Sequence, residues 1–564
     1  MKKNILKHIY GAFMLPILFA ATSCSNDPIE PSQPTNPAQG KEMTLKVSME
    51  ENKKPNARVS YQDENVGIGN TLLWEKDDKI KVVGMDGSIC KGVREFRLKS
   101  GEGTKDAEFR GEVIPGAKTY KIYYPSTVEI DETNGSATLN IDVQKQSGDN
   151  KTDLLKNYIF LEGERHAGTA NATRLTMKSS IMKFEIVEVP KEVGKLKSLI
   201  FAVAKKSGDD ENPLLDYRYV QKLDFDGNKV KFDDTKTTLT AYLSFMPEKL
   251  KLEGQGYTAH IILLGDKNYQ SVLPIYEGKT YKSGYRYKIP ASLIYKFRSP
   301  LEYAAERNLA PVENGEYKPE NAKFASSDAN DVSGFFTRQQ TENIFDITNR
   351  TSIKIDNEDY VYPDKNQWFS IIPEELKSEH DFLLAFAKQY TLKNHEEEVK
   401  VGKIRFKTKN DYKGTENLVV YALRFKDNIN LWRTAWRYSI VENEEEYTIL
   451  AGNKPKKNKC LVIETIYLGP FDTTTIDDIA KESFWEGKEK VKRIFPFSDQ
   501  RFAGFNPSNP TAVQNIGSTG YWWVKDKKWN VYVHEDNGYT IMKPSFSDSN
   551  ELTVRPFYYD IFYL

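Results

Sequence analysis

The sequence predicts a mainly β protein: two β-sandwiches in tandem, followed by a mixed α+β region. Three observations carry this. Short runs of apolar, β-branched and aromatic residues recur at close spacing from Met43 to Ile289, separated by Gly and Pro turns, which is the pattern of antiparallel sandwiches. Aromatic residues make up 12% of the chain, with 32 Tyr and 29 Phe, and these side chains suit a pleated, half-buried surface. After Pro300 the apolar residues scatter among polar stretches, as in a domain of short elements and long loops.

The chain has 564 residues, which suits three or four domains at roughly 150 residues each. Its 80 Lys plus Arg balance 80 Asp plus Glu. No global basic field exists to draw in nucleic acid. Six His and three Cys are too few for a zinc-cluster protein or a disulfide-knit scaffold. No metal and no other cofactor is expected.

Lys2, Lys3 and Lys7 form a basic start, and Ile9 to Ala21 is nearly all apolar or small. That run is too short for a membrane-spanning helix, which needs roughly 20 residues. It ends Ala21-Thr22-Ser23-Cys24, small residues followed by a thiol, as at a lipoprotein cleavage site. Residues 1–23 are expected to be a signal peptide and Cys24 the lipidated residue. The expected product is exported and, at least as a precursor, held at a membrane by its lipid alone. Residues 24–42, with Pro28, Pro31, Pro34 and Pro37, read as a flexible tether. Cys90 and Cys460 read as unpaired core residues.

Met43, Leu45, Val47 and Met49 alternate with Thr44, Lys46 and Ser48, the period of a half-buried strand. Arg58 follows a polar loop and precedes a second short strand through Val59 and Tyr61. It is either one of many surface arginines or a processing site. A cut there would release the four apolar side chains, whereas a cut at Arg110 or Arg165 would remove core strands. Further strands are expected at Leu72–Trp74, Ile80–Val83, Glu95–Leu98, Ala107–Phe109 and Tyr120–Tyr124. A second set begins near Leu175 and includes Met182–Val187, Leu199–Val203, Tyr217–Leu223, Thr238–Ser244, Tyr257–Leu264 and Tyr285–Ile289. The first sandwich is assigned to residues 43–167 and the second to 168–295.

Residues 298–564 form the third domain. Leu301–Leu309 is a helical start or a strand entry. Phe369–Ile372, Val399–Phe406, Leu418–Phe425 and Leu461–Ile466 look extended, and Ile476–Phe484 looks helical. Trp432 and Trp436 would share a face in a helix, or belong to a strand pair turning at Asp427-Asn428. Tyr521, Trp522 and Trp523 read as strand packing. Trp529 and Tyr532 follow closely and are candidate ligand contacts, because rings on a loop-rich surface can stack on a sugar face.

No His-x-x-x-His or Cys-x-x-Cys pair, phosphate loop or Gly-x-Ser-x-Gly elbow occurs. The acidic neighbours Asp77-Asp78 and Asp477-Asp478 diverge too readily to face one another across a glycosidase cleft. The protein is not expected to be an enzyme.

Several segments, in order, resemble the fimbrillin family of the Bacteroides group. They are Thr71-Leu72-Leu73-Trp74-Glu75-Lys76-Asp77-Asp78-Lys79-Ile80, Tyr123-Tyr124-Pro125-Ser126, Leu175 to Ile186, and Thr280-Tyr281-Lys282-Ser283-Gly284-Tyr285-Arg286-Tyr287. Asp77 stands where the family usually has Gly. Ser25 to Glu30 resembles the leader of surface-exported lipoproteins of that group, which implies a location at the outer membrane and cell surface and then in the fimbrium. The resemblance implies two transthyretin-like β-sandwiches in a pilus subunit. An arginine-specific protease, here at Arg58, removes the N-terminal strand carrying Met43, Leu45, Val47 and Met49. A neighbouring subunit's strand then fills the groove by β-strand addition.

The third section resembles a C-type-lectin-like domain found in some fimbrial tip subunits. The segments include Asn366-Gln367-Trp368-Phe369-Ser370, Tyr421-Ala422-Leu423-Arg424-Phe425, Tyr467-Leu468-Gly469-Pro470, Gly520-Tyr521-Trp522-Trp523 and Val554-Arg555-Pro556. The calcium and sugar motifs of animal lectins are absent. The resemblance implies a fimbrial tip subunit whose C-terminal domain mediates adhesion. Its partners would be other pilus subunits and a glycan or protein ligand. The alternatives are a non-polymerising surface lipoprotein that binds glycan or protein, and a pilus anchor that keeps its first strand and its lipid.

Overall fold

The computed structural model describes residues 41–49, 73–208, 214–226, 229–275, 280–295, 299–328, 333–373, 384–402, 404–427, 430–447, 456–498, 519–527, 529–534, 539–544 and 547–559. The fold is mainly β.

The first unit contains β1 (Glu42–Met49), β2 (Lys79–Asp86), β3 (Ile89–Ser100), β4 (Asp106–Glu112), β5 (Thr119–Tyr124), the hairpin β6 (Glu129–Asp131) and β7 (Ser136–Thr138), β8 (Val143–Gln146), β9 (Leu161–His166) and β10 (Thr173–Met177). Seven strands close a barrel in the order β1–β10–β9–β5–β2–β3–β4, with β4 returning to β1. Closure removes the open edges that a sandwich would leave. β10 corrects the expectation that the segment around Leu175 opens the second sandwich. It pairs with β1 and β9, and its alternation puts Leu175 and Met177 into the first core. Only Lys178 and Ser179 separate it from the next strand, so no linker composition marks the boundary.

The second unit contains β11 (Ser180–Ile186), β12 (Ser198–Ser207), β13 (Leu214–Phe225), β14 (Leu239–Phe245), β15 (Tyr257–Leu264), β16 (Tyr269–Ile275), β17 (Arg286–Ala291) and β18 (Ile294–Tyr295). One sheet runs β14–β11–β17; the other includes β18–β16–β15–β12–β13. Met182, Phe184, Phe201, Leu223, Leu243 and Ile261 pack between them.

The two units interlock and are not independent bodies. β8 of the first unit pairs parallel with β13 of the second, from Lys222↔Val143 to Phe225↔Gln146. Its glutamine side chains then close the edge of β14. Gln144 Oε1 accepts from the Ser244 N–H (2.9 Å) and Gln146 Oε1 from the Tyr242 N–H (2.8 Å). The same amides donate to the Ser244 and Thr240 carbonyls at 2.6 and 3.1 Å. Side chains thus satisfy backbone groups that a neighbouring strand would otherwise pair.

The third region contains β19 (Ile353–Ile355), β20 (Glu358–Val361), β21 (Tyr390–Val401), β22 (Ile404–Gly414), β23 (Val419–Arg424), β24 (Thr434–Tyr447), β25 (Lys456–Tyr467), β26 (Val491–Pro496), β27 (Thr519–Trp523), β28 (Trp529–His534), β29 (Tyr539–Pro544) and β30 (Phe557–Tyr558), with α1 (Arg338–Phe345), α2 (Lys365–Phe369) and α3 (Ile476–Ile479). A parallel bridge between Leu214 and Arg405 joins β13 to β22. The sheet of the second unit therefore continues into the third region, making a 12-stranded sheet. Ala204 and Leu215 share a core with Trp368, Tyr412, Trp436 and Leu461. On the back of β12, Ile200 and Ala202 pack with Leu431.

Local details depart from expectation for identifiable reasons. Phe369 ends a helix and does not open a strand, because Asp364 and Gln367 form a reciprocal capping box around α2. Leu301–Leu309 opens as a 3-10 turn, Pro300–Tyr303, capped by Ser299 and Glu302. Ile476–Phe484 divides into α3 and a 3-10 turn, Glu482–Phe484. Trp432 precedes β24 and Trp436 lies in it, paired with Ala422 of β23. Trp436 thus lies on a strand, while Trp432 lies in the turn that leads into it; Asn428 of the expected turn falls outside the described residues.

Cys90 and Cys460 are free thiols. Burial pushes the Cys460 thiol up to about 12, while Cys90 is half-buried. The thiolate is the reactive species. An alkylating reagent at pH 8 is therefore expected to label Cys90 in the native protein and Cys460 only after unfolding, as read by peptide mass spectrometry. Equal labelling rates would mean that β25 opens readily.

Candidate functional site

β1 and the groove that holds it form the candidate site. Leu45 and Val47 are fully buried and Met49 is 7% exposed. Met43 is half-buried against the same core. Each such side chain stabilises the barrel by roughly 1.5–3 kcal/mol relative to exposure when fully buried. β1 lies between two strands. It runs antiparallel to β4 from Glu42↔Glu112 to Ser48↔Asp106 and parallel to β10 from Val47↔Thr173 to Met49↔Leu175. Its outward face is polar: Glu42 pairs with Arg110, and Lys46 lies 3.8 Å from Glu108.

The groove has its own supports. Trp74 is fully buried, and its indole N–H donates to the Lys105 carbonyl at 3.0 Å. Its ring meets Phe109 and Tyr124 edge-on at 4.8 and 5.3 Å. Asp78, nearly buried, accepts from the Glu75 N–H (2.7 Å) and the Tyr124 hydroxyl (3.2 Å). Burial, then the Asp78 charge, pushes the Tyr124 phenol far up, so it remains a donor. The Trp74-to-Lys79 segment thus braces one wall, and the Lys105 carbonyl that meets the Trp74 indole also accepts from the Met49 N–H of β1 at 3.1 Å.

Cys24 and Arg58 lie outside the described residues. Met43, Leu45, Val47 and Met49 are brought to one face of one strand, as the alternation predicts. The pair chosen as ligand contacts fares differently. Tyr532 is only 5% exposed and packs 5.0 Å from the Tyr521 ring. It lies in the middle strand of the β27–β28–β29 sheet and in a buried cluster with Trp523 and Leu552, so its ring has no face free for a ligand; the expectation for Tyr532 is corrected. Trp529 is half-buried and starts that strand instead of occupying a loop, with Lys365 Nζ 5.1 Å from its ring. Tyr521, Trp522 and Trp523 are core residues.

Sequence reasoning missed two buried arginines. Arg424 has a fully buried side chain and pairs with Glu397, also fully buried, at 2.8 Å. Arg555 donates to Asn308 Oδ1 at 2.8 Å and to the Ala305, Glu306 and Ile494 carbonyls, tying the chain's last part to the start of the third region. Burial pushes its guanidinium down to about 9. The available signal was a lone charge within an apolar strand run, as in Tyr421-Ala422-Leu423-Arg424-Phe425. Among the described residues, no group of three or more His, Cys, Asp or Glu is placed to hold a metal ion. No described helix is long and apolar enough to cross a membrane.

The profile of a domain of unknown function, DUF8237, matches residues 296–557. No curated protein matches the chain. Among solved structures, it is similar to a candidate cell adhesion protein from Bacteroides fragilis, at 11% identity and a TM-score of 0.24, over 45% of this chain and 97% of that one. A fimbrial assembly protein from Parabacteroides distasonis is similar at 10% identity and a TM-score of 0.21, over 46% and 99%. The fimbrial anchor protein Mfa2 from Porphyromonas gingivalis is similar at 14% identity and a TM-score of 0.17, over 40% and 78%.

Proposed function

We propose that this chain is a fimbrial subunit of the bacterial surface that acts at the pilus tip. In this reading it is exported as a lipoprotein through Cys24 and cut after Arg58. A neighbouring subunit's strand then replaces β1, and the third region carries the adhesive surface. The supporting observation is the seating of β1: the first described strand, paired on both sides, with alternate side chains buried in a groove whose wall residues Trp74, Phe109 and Tyr124 also contact one another. Such a strand can be exchanged for another of the same pattern, because main-chain hydrogen bonds supply affinity and the pockets supply register. The bulk of the third region, continuous with the sheet of the second unit, suits an end position better than a stacked one.

The N-terminus of the protein recovered from cells tests this. A start at Val59, with β1 absent, is expected. An acylated Cys24 with β1 still attached would overturn the tip reading and favour an anchor or a non-polymerising lipoprotein.

A further inference from the structure

The barrel interior beside β1 holds a polar group that β1 does not satisfy. Thr173, the first residue of β10, is 5% exposed and points inward with Leu175 and Met177. Among the described residues, its Oγ1 has no hydrogen-bond partner. Buried polar groups are nearly always paired, so this hydroxyl needs a reason. The methyl branch of the same side chain lies toward β9, where a Cβ added to Gly163 would meet it at 3.2 Å. The hydroxyl branch points away from that contact.

Thr173 pairs with Val47 of β1 in parallel register, whereas β10 pairs with β9 further along, at Thr176 and Met177. Side chains paired in this way share one face of the sheet at roughly 5 Å. Val47 therefore sits beside Thr173 with two methyl groups, and neither can hydrogen-bond. While β1 is seated, Val47 and the Thr173 hydroxyl are closed off from solvent. Removing β1 uncovers the flank of Thr173 that Val47 covers, so what the hydroxyl can meet is the strand that takes the place of β1. On its other side Val47 faces Ala107 of β4, so small side chains flank a position of valine's size. Threonine has that size and branching, and its hydroxyl both donates and accepts.

We propose that the groove is matched to a strand carrying threonine at the place Val47 holds, whose hydroxyl pairs with Thr173 Oγ1. The partner is then a strand of a neighbouring subunit with apolar residues at the places of Leu45 and Met49 and threonine between them. This rests on the strand-exchange reading above and adds the chemistry of the incoming strand. Cross-strand threonine pairs stabilise sheets. β1 seals the core and holds the register but leaves the hydroxyl unpaired, so a better-matched strand has a reason to replace it. Thr173 is thus a specificity device that favours the exchanging strand over the resident one.

Thermal unfolding of the intact full chain tests the pocket without any exchange. Val47→Thr is expected to lower the melting temperature by less than about 2 °C when Thr173 is present. In a Thr173→Val background the same change is expected to lower it by about 4 °C or more, because the new hydroxyl then has no partner. Equal shifts in the two backgrounds would overturn the proposal, whatever a peptide does. Peptide binding to the full chain treated with an arginine-specific protease tests the partner. The Glu42–Met49 peptide with Val47→Thr is expected to bind about threefold more tightly than the native peptide, and about threefold more weakly than it when the protein carries Thr173→Val. Equal or weaker binding of the threonine peptide to the protein with Thr173 would overturn the proposal. Binding of neither peptide would overturn strand exchange itself, and with it a neighbouring strand as the occupant. The unfolding measurements on the intact chain would still decide whether the pocket calls for a hydroxyl.

Discussion

Arg424→Met is expected to destabilise the third region by about 3–5 kcal/mol, the cost of breaking a buried ion pair from one side. Arg424 links three elements at the centre of the largest core. Its guanidinium meets Glu397 of β21 at 2.8 Å and donates to the Ser370 and Phe369 carbonyls, at the end of α2, at 2.9 and 2.5 Å. Glu397 also accepts from the Tyr412 hydroxyl. The Tyr438 hydroxyl donates to the Ile371 carbonyl at 3.0 Å. With Met in place, the Glu397 charge and two carbonyls at α2 lose this donor in a fully buried site. Glu397→Gln is expected to cost less, because the guanidinium keeps its carbonyl partners. The double variant Arg424→Met with Glu397→Leu is expected to be more stable than Arg424→Met alone, since no unpaired charge remains. Denaturant unfolding followed by tryptophan fluorescence measures all three. Simple additivity of the single effects would mean that the two residues do not act as a pair.

Much of the strand pattern was legible because alternation and turn residues are local. β1 is the clearest case: four apolar residues at every second position dictate a one-sided strand whatever its partners. What alternation does not specify is which strands pair. β10 falls in a sequence position that suits either unit, and its parallel pairing with β1 is a tertiary outcome. The closure of β14 by Gln144 and Gln146 is equally invisible, because glutamine in a polar stretch reads as surface. The joined sheet left a trace that could have been read. Leu199 to Ala204 is apolar at every position, and so is Ile261-Ile262-Leu263. In an antiparallel strand, a lost alternation means that both faces are covered. Tyr532 illustrates the opposite limit, since an aromatic-rich strand gives no sign of which rings face solvent.

Val47→Asp is expected to expel β1 from the barrel, at a cost of about 3–5 kcal/mol for placing a charge in an apolar core. Val47 is fully buried and sits opposite Ala107 of β4 and Thr173 of β10, neither of which carries a charge to pair with an aspartate. The side chains that shape the groove, Trp74, Phe109 and Tyr124, contact one another and not only β1. The remaining strands are therefore expected to stay folded with an open groove. Two results follow from that. Cleavage at Arg58 by an arginine-specific protease is expected to accelerate, because β1 no longer restrains the chain that leads to it. A synthetic peptide with the sequence Glu42 to Met49 is expected to bind the cleaved protein and raise its melting temperature, whereas the same peptide carrying Asp at position 47 is not. Paired backbone on both sides and four inward side chains, three of them buried, give the native peptide its affinity. If Val47→Asp instead melts the whole barrel, and the native peptide neither binds nor restores it, β1 is an integral core strand and no exchange mechanism can operate through this groove.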